Sequence, residues 1–102
     1  MSIFDWLFSI EGKAVYSIGS NSLHDLRIAT YGYTEAIKSI SDQFEDPMYP
    51  GFQEYVEKYY GLKLNVEGWS EIITERTSTQ EEAMKTFYDL LRAYYDTFAR
   101  CQ

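Results

Sequence analysis

Apolar positions along the chain recur mainly at helical spacing. The longest run is Leu23, Leu26, Ala29, Tyr33, Ile37, Ile40 and Phe44, stepping by 3, 3, 4, 4, 3 and 4. Such steps place all seven side chains on one stripe, so the pattern predicts a helix of about twenty residues opening at Leu23. Ser22, three residues before Asp25, suits its N-cap. Gly32 inside this helix costs about 1 kcal/mol relative to Ala. A glycine retained there predicts that a neighbouring helix or ring approaches closely.

Shorter segments carry the same signature. Ile3, Trp6, Leu7 and Ile10 predict a brief helix capped by Ser2 with Asp5 and stopped at Gly12. Lys13–Ile18 has strand-like content but no second strand to pair with, and is expected to be extended, with a small hairpin as the alternative. Pro47 and Pro50 make residues 46–51 a loop, and Pro50 suits the first turn of the next helix. That helix should bury Phe52, Val56 and Tyr59 and end with Gly61 at C′. Val66, Trp69, Ile72 and Ile73 predict another, ending near Arg76. Ser78 and Glu81 form an S-x-x-E capping box. The last helix follows it, with Ala83, Met84, Phe87, Leu90, Leu91, Tyr94 and Phe98 on one side. Arg92 and Arg100 lie toward its C-terminal end, where the helix dipole favours them. The expected fold is all-α, a compact bundle of about five helices with a short extended segment at residues 13–18. At 102 residues a single domain spanning 1–102 is expected.

Charge and composition narrow the function. Sixteen acids against nine bases give a net charge of −7, while aromatics make up 18% of the chain, ten of them tyrosine. That aromatic content excludes a disordered acidic tail. The charge argues against direct nucleic-acid binding, which depends on Lys and Arg neutralising phosphates. No apolar run approaches the ~20 residues that span a bilayer. The start of the chain has no basic region before its apolar residues, so no signal peptide is expected and a cytoplasmic location is.

Reactive chemistry is sparse. His24 and Cys101 are the single representatives of their types, which leaves no disulfide framework and no His/Cys metal site. His24 reads as a surface residue and Cys101, next to last, as a bystander. Neither the Ca²⁺-loop pattern nor a phosphate-binding glycine pattern occurs, so the expectation is a protein that is not an enzyme and has no cofactor. The acids, in contrast, are clustered. Glu67, Glu71 and Glu75 at i, i+4 and i+8 would share one helical face, where like charges repel by a few tenths of a kcal/mol, ~0.2–0.5. Asp42, Glu45 and Asp46 would crowd the negative end of the long helix, with Lys38 offsetting only part of the cost. Acids set against local stability suit an electropositive partner. Tyr33, Tyr59 and Tyr94 are explained by buried stripes. Tyr31, Tyr49, Tyr60, Tyr88 and Tyr95 flank them, and Tyr49, beside the first acidic cluster, is a candidate contact because Tyr is favoured at interface hot spots.

One set of residues carries a family resemblance. It comprises Ser22, Leu23 and Leu26 with Tyr31, Gly32, Tyr33 and Ala36, then Gly51, Phe52, Tyr55 and Val56 with Tyr60 and Gly61. Gly68, Trp69, Ile72 and Ile73 continue it, and Ser78, Glu81, Glu82, Ala83, Phe87, Tyr88, Leu90 and Leu91 complete it. Over residues 20–98 the chain resembles the small acidic immunity proteins encoded beside bacterial toxins, including those of contact-dependent inhibition systems. The resemblance implies a cytoplasmic antidote that binds one cognate toxin domain, often a nuclease, and blocks its active site. It transfers no site residues. The residues themselves nominate Asp42, Glu45, Asp46, Tyr49, Glu67, Glu71 and Glu75 as partner-binding, against a toxin with a basic surface. The expected state is a monomer or weak homodimer with no membrane contact. An acidic nucleic-acid mimic that inhibits or regulates a host or phage-defence protein is the alternative, and a carboxylate-based hydrolase or metal enzyme ranks below both.

Overall fold

The computed structural model describes residues 3–41 and 43–100, the last three as backbone. Ser2, Asp42 and Cys101 lie outside the described residues, as do the side chains of Phe98 and Arg100. The fold is all-α, with six α-helices among the described residues. They group into two units, Met1–Glu45 and Asp46–Gln102.

The first unit holds α1 (Ile3–Ser9), α2 (Ala14–Ile18) and α3 (Leu23–Ile40). Ile3, Leu7 and Ile10 are buried, as the three-to-four spacing predicts; Phe4 is buried as well, and Trp6 is half-buried. Trp6 stacks on Tyr33 with ring centroids 4.9 Å apart, tying α1 to α3. The segment expected to be extended is instead α2. With no strand to pair with, its backbone is satisfied locally, Tyr16 and Ser17 N–H both donating to the Lys13 carbonyl. Only Ala14 is fully buried there, and Val15 and Tyr16 point outward.

Helix α3 opens as expected, the Ser22 hydroxyl accepting from Asp25 N–H at 3.4 Å. Its buried face then departs from the predicted stripe. Leu23, Leu26, Thr30 and Thr34 are buried, whereas Ile40 is exposed and Phe44 lies beyond the helix end. Observed steps of 3, 4 and 4 follow the 3.6-residue helical repeat, while the predicted stripe averages 3.5 and drifts off the buried face. The two threonines tolerate burial because their hydroxyls donate to backbone carbonyls, Thr30 to Leu26 at 2.8 Å and Thr34 to Tyr31 at 2.9 Å. The close approach expected at Gly32 is absent, since a Cβ there would meet open space.

The second unit begins with an irregular turn, Met48–Phe52, containing a cis Tyr49–Pro50 bond. It runs directly into α4 (Gln53–Tyr59), followed by α5 (Trp69–Glu75) and α6 (Gln80–Arg100). Phe52 is the hub of an aromatic core. Its ring meets Trp69, Phe87 and Tyr94 edge-on at 5.4, 5.6 and 5.5 Å, and Trp69 stacks on Phe87 at 4.8 Å. Edge-to-face and offset pairs at these distances satisfy the ring quadrupoles. Val56, Ile72, Ile73, Ala83, Leu90 and Leu91 fill the remaining space. Tyr88, expected at the edge, is buried against Phe87. Tyr59 and Val66, expected inside, are exposed: α4 ends at Tyr59, and Val66 precedes α5. Gly61 follows α4 with φ 70°, the left-handed conformation expected at C′.

The capping box is shifted by one residue. Thr79, not Ser78, caps α6, its hydroxyl accepting from Glu82 N–H at 3.0 Å. Glu82, not Glu81, returns its carboxylate to a backbone N–H, that of Ser78, at 3.2 Å. Tandem Ser78-Thr79 and Glu81-Glu82 pairs make either register available to the same sequence. Far along α6, the buried Tyr94 hydroxyl donates to the Pro47 carbonyl at 2.6 Å. Gly51 faces that hydroxyl so closely that a Cβ would collide with it.

The two glycines should respond oppositely to substitution. Gly32→Ala is expected to stabilise the protein by about 1 kcal/mol in urea denaturation, because nothing obstructs the methyl group. Gly51→Ala should destabilise by about 1–3 kcal/mol as the Tyr94 hydroxyl is displaced from its carbonyl. A Tyr94→Phe background, which removes the obstructing oxygen, should lower that cost; an unchanged cost would refute the contact.

Candidate functional site

The local frame of the acidic residues is a buried amide. Helix α5 starts after Gly68, which has no side chain to cap the orphan N–H groups of the first turn. Gln53, buried at the start of α4, supplies the acceptor: its Oε1 receives Trp69 N–H at 2.7 Å. Its Nε2 donates to the Glu67 carbonyl at 2.9 Å and to Glu57 Oε2 at 3.3 Å. Asn65 repeats the pattern, Nδ2 donating to the same carbonyl at 2.7 Å and to Glu57 Oε2 at 2.8 Å. Glu67 N–H in turn donates to Asn65 Oδ1 at 3.3 Å. The backbone of Glu67 is therefore held at both its N–H and its carbonyl, while its carboxyl is left to the surface.

Glu67, Glu71 and Glu75 do come together, but not as one helical row. Glu67 precedes α5, and Glu71 lies in its first turn. The positive end of the helix dipole favours acids there, contrary to the expected cost along the whole row. The penalty is concentrated elsewhere. Glu75 is the largest cause, followed by desolvation and the charge of Glu71, of a Glu67 pKa raised above the ordinary glutamate range, because ionising Glu67 sets like charges side by side. Arg76 is the cation that opposes this shift. Its guanidinium is otherwise engaged, donating to the Ile72 carbonyl at 3.0 Å, sitting 3.9 Å from Glu75, and lying over the Tyr60 ring at 5.2 Å. Among the described residues neither Glu67 nor Glu71 forms an ion pair. Asp89 on α6 is the contrast. Lys85 and Arg92 each contact it at 2.8 Å, and their hydrogen bonds hold its carboxyl below the usual range.

Of the other cluster, Glu45 and Asp46 follow the end of α3 at Ile40 in the chain and are not part of that helix, and Lys38 pairs with Glu35 at 3.5 Å. Asp46 has a structural role, its Oδ1 accepting Met48 N–H at 2.9 Å at the start of the irregular turn. With Glu54 it also adds to the effect of burial in raising the Tyr94 pKa. Tyr49 and Glu45 are exposed. Among the described residues no hydrogen bond, ion pair or ring contact joins Asp46 or Tyr49 to the Glu67–Glu75 group. His24 is exposed on α3, and no group of three His, Cys, Asp or Glu side chains among the described residues is placed to hold a metal. No helix among them is long and apolar enough to cross a membrane.

Gln53, Glu57 and Asn65 were not among the sequence candidates. A faint signal existed in Asn65, two residues before Glu67 in a stretch ending in Gly68, where an Asn side chain commonly closes a turn onto its own backbone.

Gln53→Leu should cost about 1–3 kcal/mol by leaving Trp69 N–H without its acceptor, read by urea denaturation. Glu67→Gln tests the carboxyl pair. Because the folded-state pKa of Glu67 is raised, stability is lost as pH rises from the ordinary glutamate pKa to that raised pKa, and the cost is absent at lower pH. Glu67→Gln should therefore melt higher than the parent at pH 7. The gain should disappear below about pH 4, where the parent carboxyl is protonated. A pH-independent difference would refute the like-charge contact. Comparison with protein-family models, curated proteins and solved structures found no match for this chain.

Proposed function

We propose that this protein is an immunity protein, which binds and neutralises a cognate bacterial toxin domain, a nuclease, by occupying its basic active-site cleft. The supporting observation is the grouping of Glu67, Glu71 and Glu75 without an ion pair for Glu67 or Glu71, where Glu75 and Glu71 oppose the ionisation of Glu67 on a segment whose backbone is firmly held. A lysine or arginine of a nuclease cleft, placed there to bind phosphate, relieves that repulsion on contact. The net charge of −7 adds long-range attraction, which speeds encounter before the toxin reaches its target. Asp42, Glu45, Asp46 and Tyr49, neighbours in sequence, are further candidate contact residues. In this reading the protein acts in the cytoplasm, in a 1:1 complex, through binding alone and without a cofactor.

The direct test uses the product of the adjacent gene, inactivated in its catalytic residues, with stopped-flow and calorimetric binding. Charge reversal at Glu67 and Glu71 should slow association about tenfold or more at low salt, with the deficit shrinking as salt rises. Reversal at Glu45 and Asp46 gauges the second cluster. Unchanged binding and unchanged protection in both sets would overturn the electrostatic mechanism.

A further inference from the structure

The segment joining α4 to α5 presents apolar side chains to solvent where a small protein would ordinarily bury them. Leu64 and Val66 are 101% and 102% exposed, and Tyr59 at the end of α4 is 61% exposed. The network around Gln53 accounts for this orientation. Asn65 turns inward to Glu57 and Glu67, so its two neighbours in the chain are left outside. Tyr59 is linked by contacts to the acids, and Val66 is joined to them through the chain. The Tyr59 ring meets Tyr60 at 4.9 Å, Tyr60 lies under Arg76 at 5.2 Å, and Arg76 approaches Glu75 at 3.9 Å, while Val66 directly precedes Glu67.

Deepening the inhibitory reading above, and resting on it for the partner's identity, we infer that Tyr59, Leu64 and Val66 are the apolar anchors of a docking surface rimmed by Glu67, Glu71 and Glu75, and that its occupant is a protein cleft carrying an apolar pocket bordered by lysine or arginine. Charge complementarity selects this occupant. In a symmetric dimer built on the same surface, each acid rim would face its own copy, placing like charges together. Anionic lipid headgroups and nucleic-acid phosphates meet the same repulsion. Exposed acids steer the encounter, and desolvated apolar anchors in a pocket slow dissociation, so the two residue sets divide the work between association and lifetime.

The test needs no knowledge of the natural partner. Amide chemical shifts of the full chain are followed while adding a short peptide of alternating lysine and leucine, with lysine-only and glutamate–leucine peptides of equal length as controls. The lysine–leucine peptide should perturb residues 59–75, the lysine-only peptide chiefly 67–75, and the glutamate–leucine peptide neither. Leu64→Ser with Val66→Ser should weaken lysine–leucine binding at least about tenfold, leave lysine-only binding unchanged, and leave the melting temperature unchanged because both side chains are fully exposed. Perturbation mapping elsewhere, or equal binding by the double variant, overturns the proposal. So does a concentration-dependent dimer of the parent chain that the double variant loses, since it assigns the surface to a second copy. The adjacent-gene product separates this inference from the immunity reading. If it binds and protects but is insensitive to the double variant, the anchors fail and the reading stands. If the peptide maps to 59–75 but that product does not bind, the surface stands and the reading fails.

Discussion

The carboxamide of Gln53 is the interaction on which the second unit's surface depends. A buried amide left unpaired is costly, and here both its ends are used, the oxygen on α5's first N–H and the nitrogen on the carbonyl just before that helix. One side chain thus starts α5, sets its position relative to α4, and dictates the path of the segment between them. Glycine at the head of α5 is tolerated because its capping function has moved to a residue sixteen positions earlier than Trp69. The aromatic core below, centred on Phe52, is the immediate neighbour of Gln53 in sequence, so the apolar and polar supports of the unit share one turn of chain.

From this frame follows the unusual disposition of charge. The acids of α6 are treated conventionally, Asp89 lying between two bases that neutralise it. The acids around α5 are not. Gln53 and Asn65 tether the Glu67 backbone, while Glu75 and Glu71 oppose the ionisation of its carboxyl. A surface that retains an unfavourable pair on a rigid support is preorganised for a cation from outside, since little motion is needed when one arrives.

The fold was largely legible in the residues, because helical periodicity reports burial directly: Leu23 with Leu26, Phe52 with Val56, and Ile72 with Ile73 all lie where their spacing put them. Misreadings arose where a local rule met a competing local rule. Thr30 and Thr34 are polar by type yet hide their hydroxyls on the backbone, so half of α3's buried face carries no apolar signal. Lys13–Ile18 has β-branched and aromatic content, but without a partner strand the helix was the conformation that satisfied its backbone. The candidate site was legible only in part. Glu67, Glu71 and Glu75 could be singled out by spacing, but their support is a long-range hydrogen bond between positions 53 and 69, and no short-range pattern encodes such a contact. Tyr88 and Tyr59 exchanged their expected places: Tyr88 is buried within α6, and Tyr59, the last residue of α4, is exposed.

The two tryptophans are divided between the units, Trp6 stacked on Tyr33 in the first and Trp69 stacked on Phe87 in the second. Each indole is thus a native optical reporter of one unit alone. With the other replaced by phenylalanine, emission from a single tryptophan follows the packing of its own unit. The chain can therefore reveal, without any added label, whether its halves lose structure as one cooperative body or in succession.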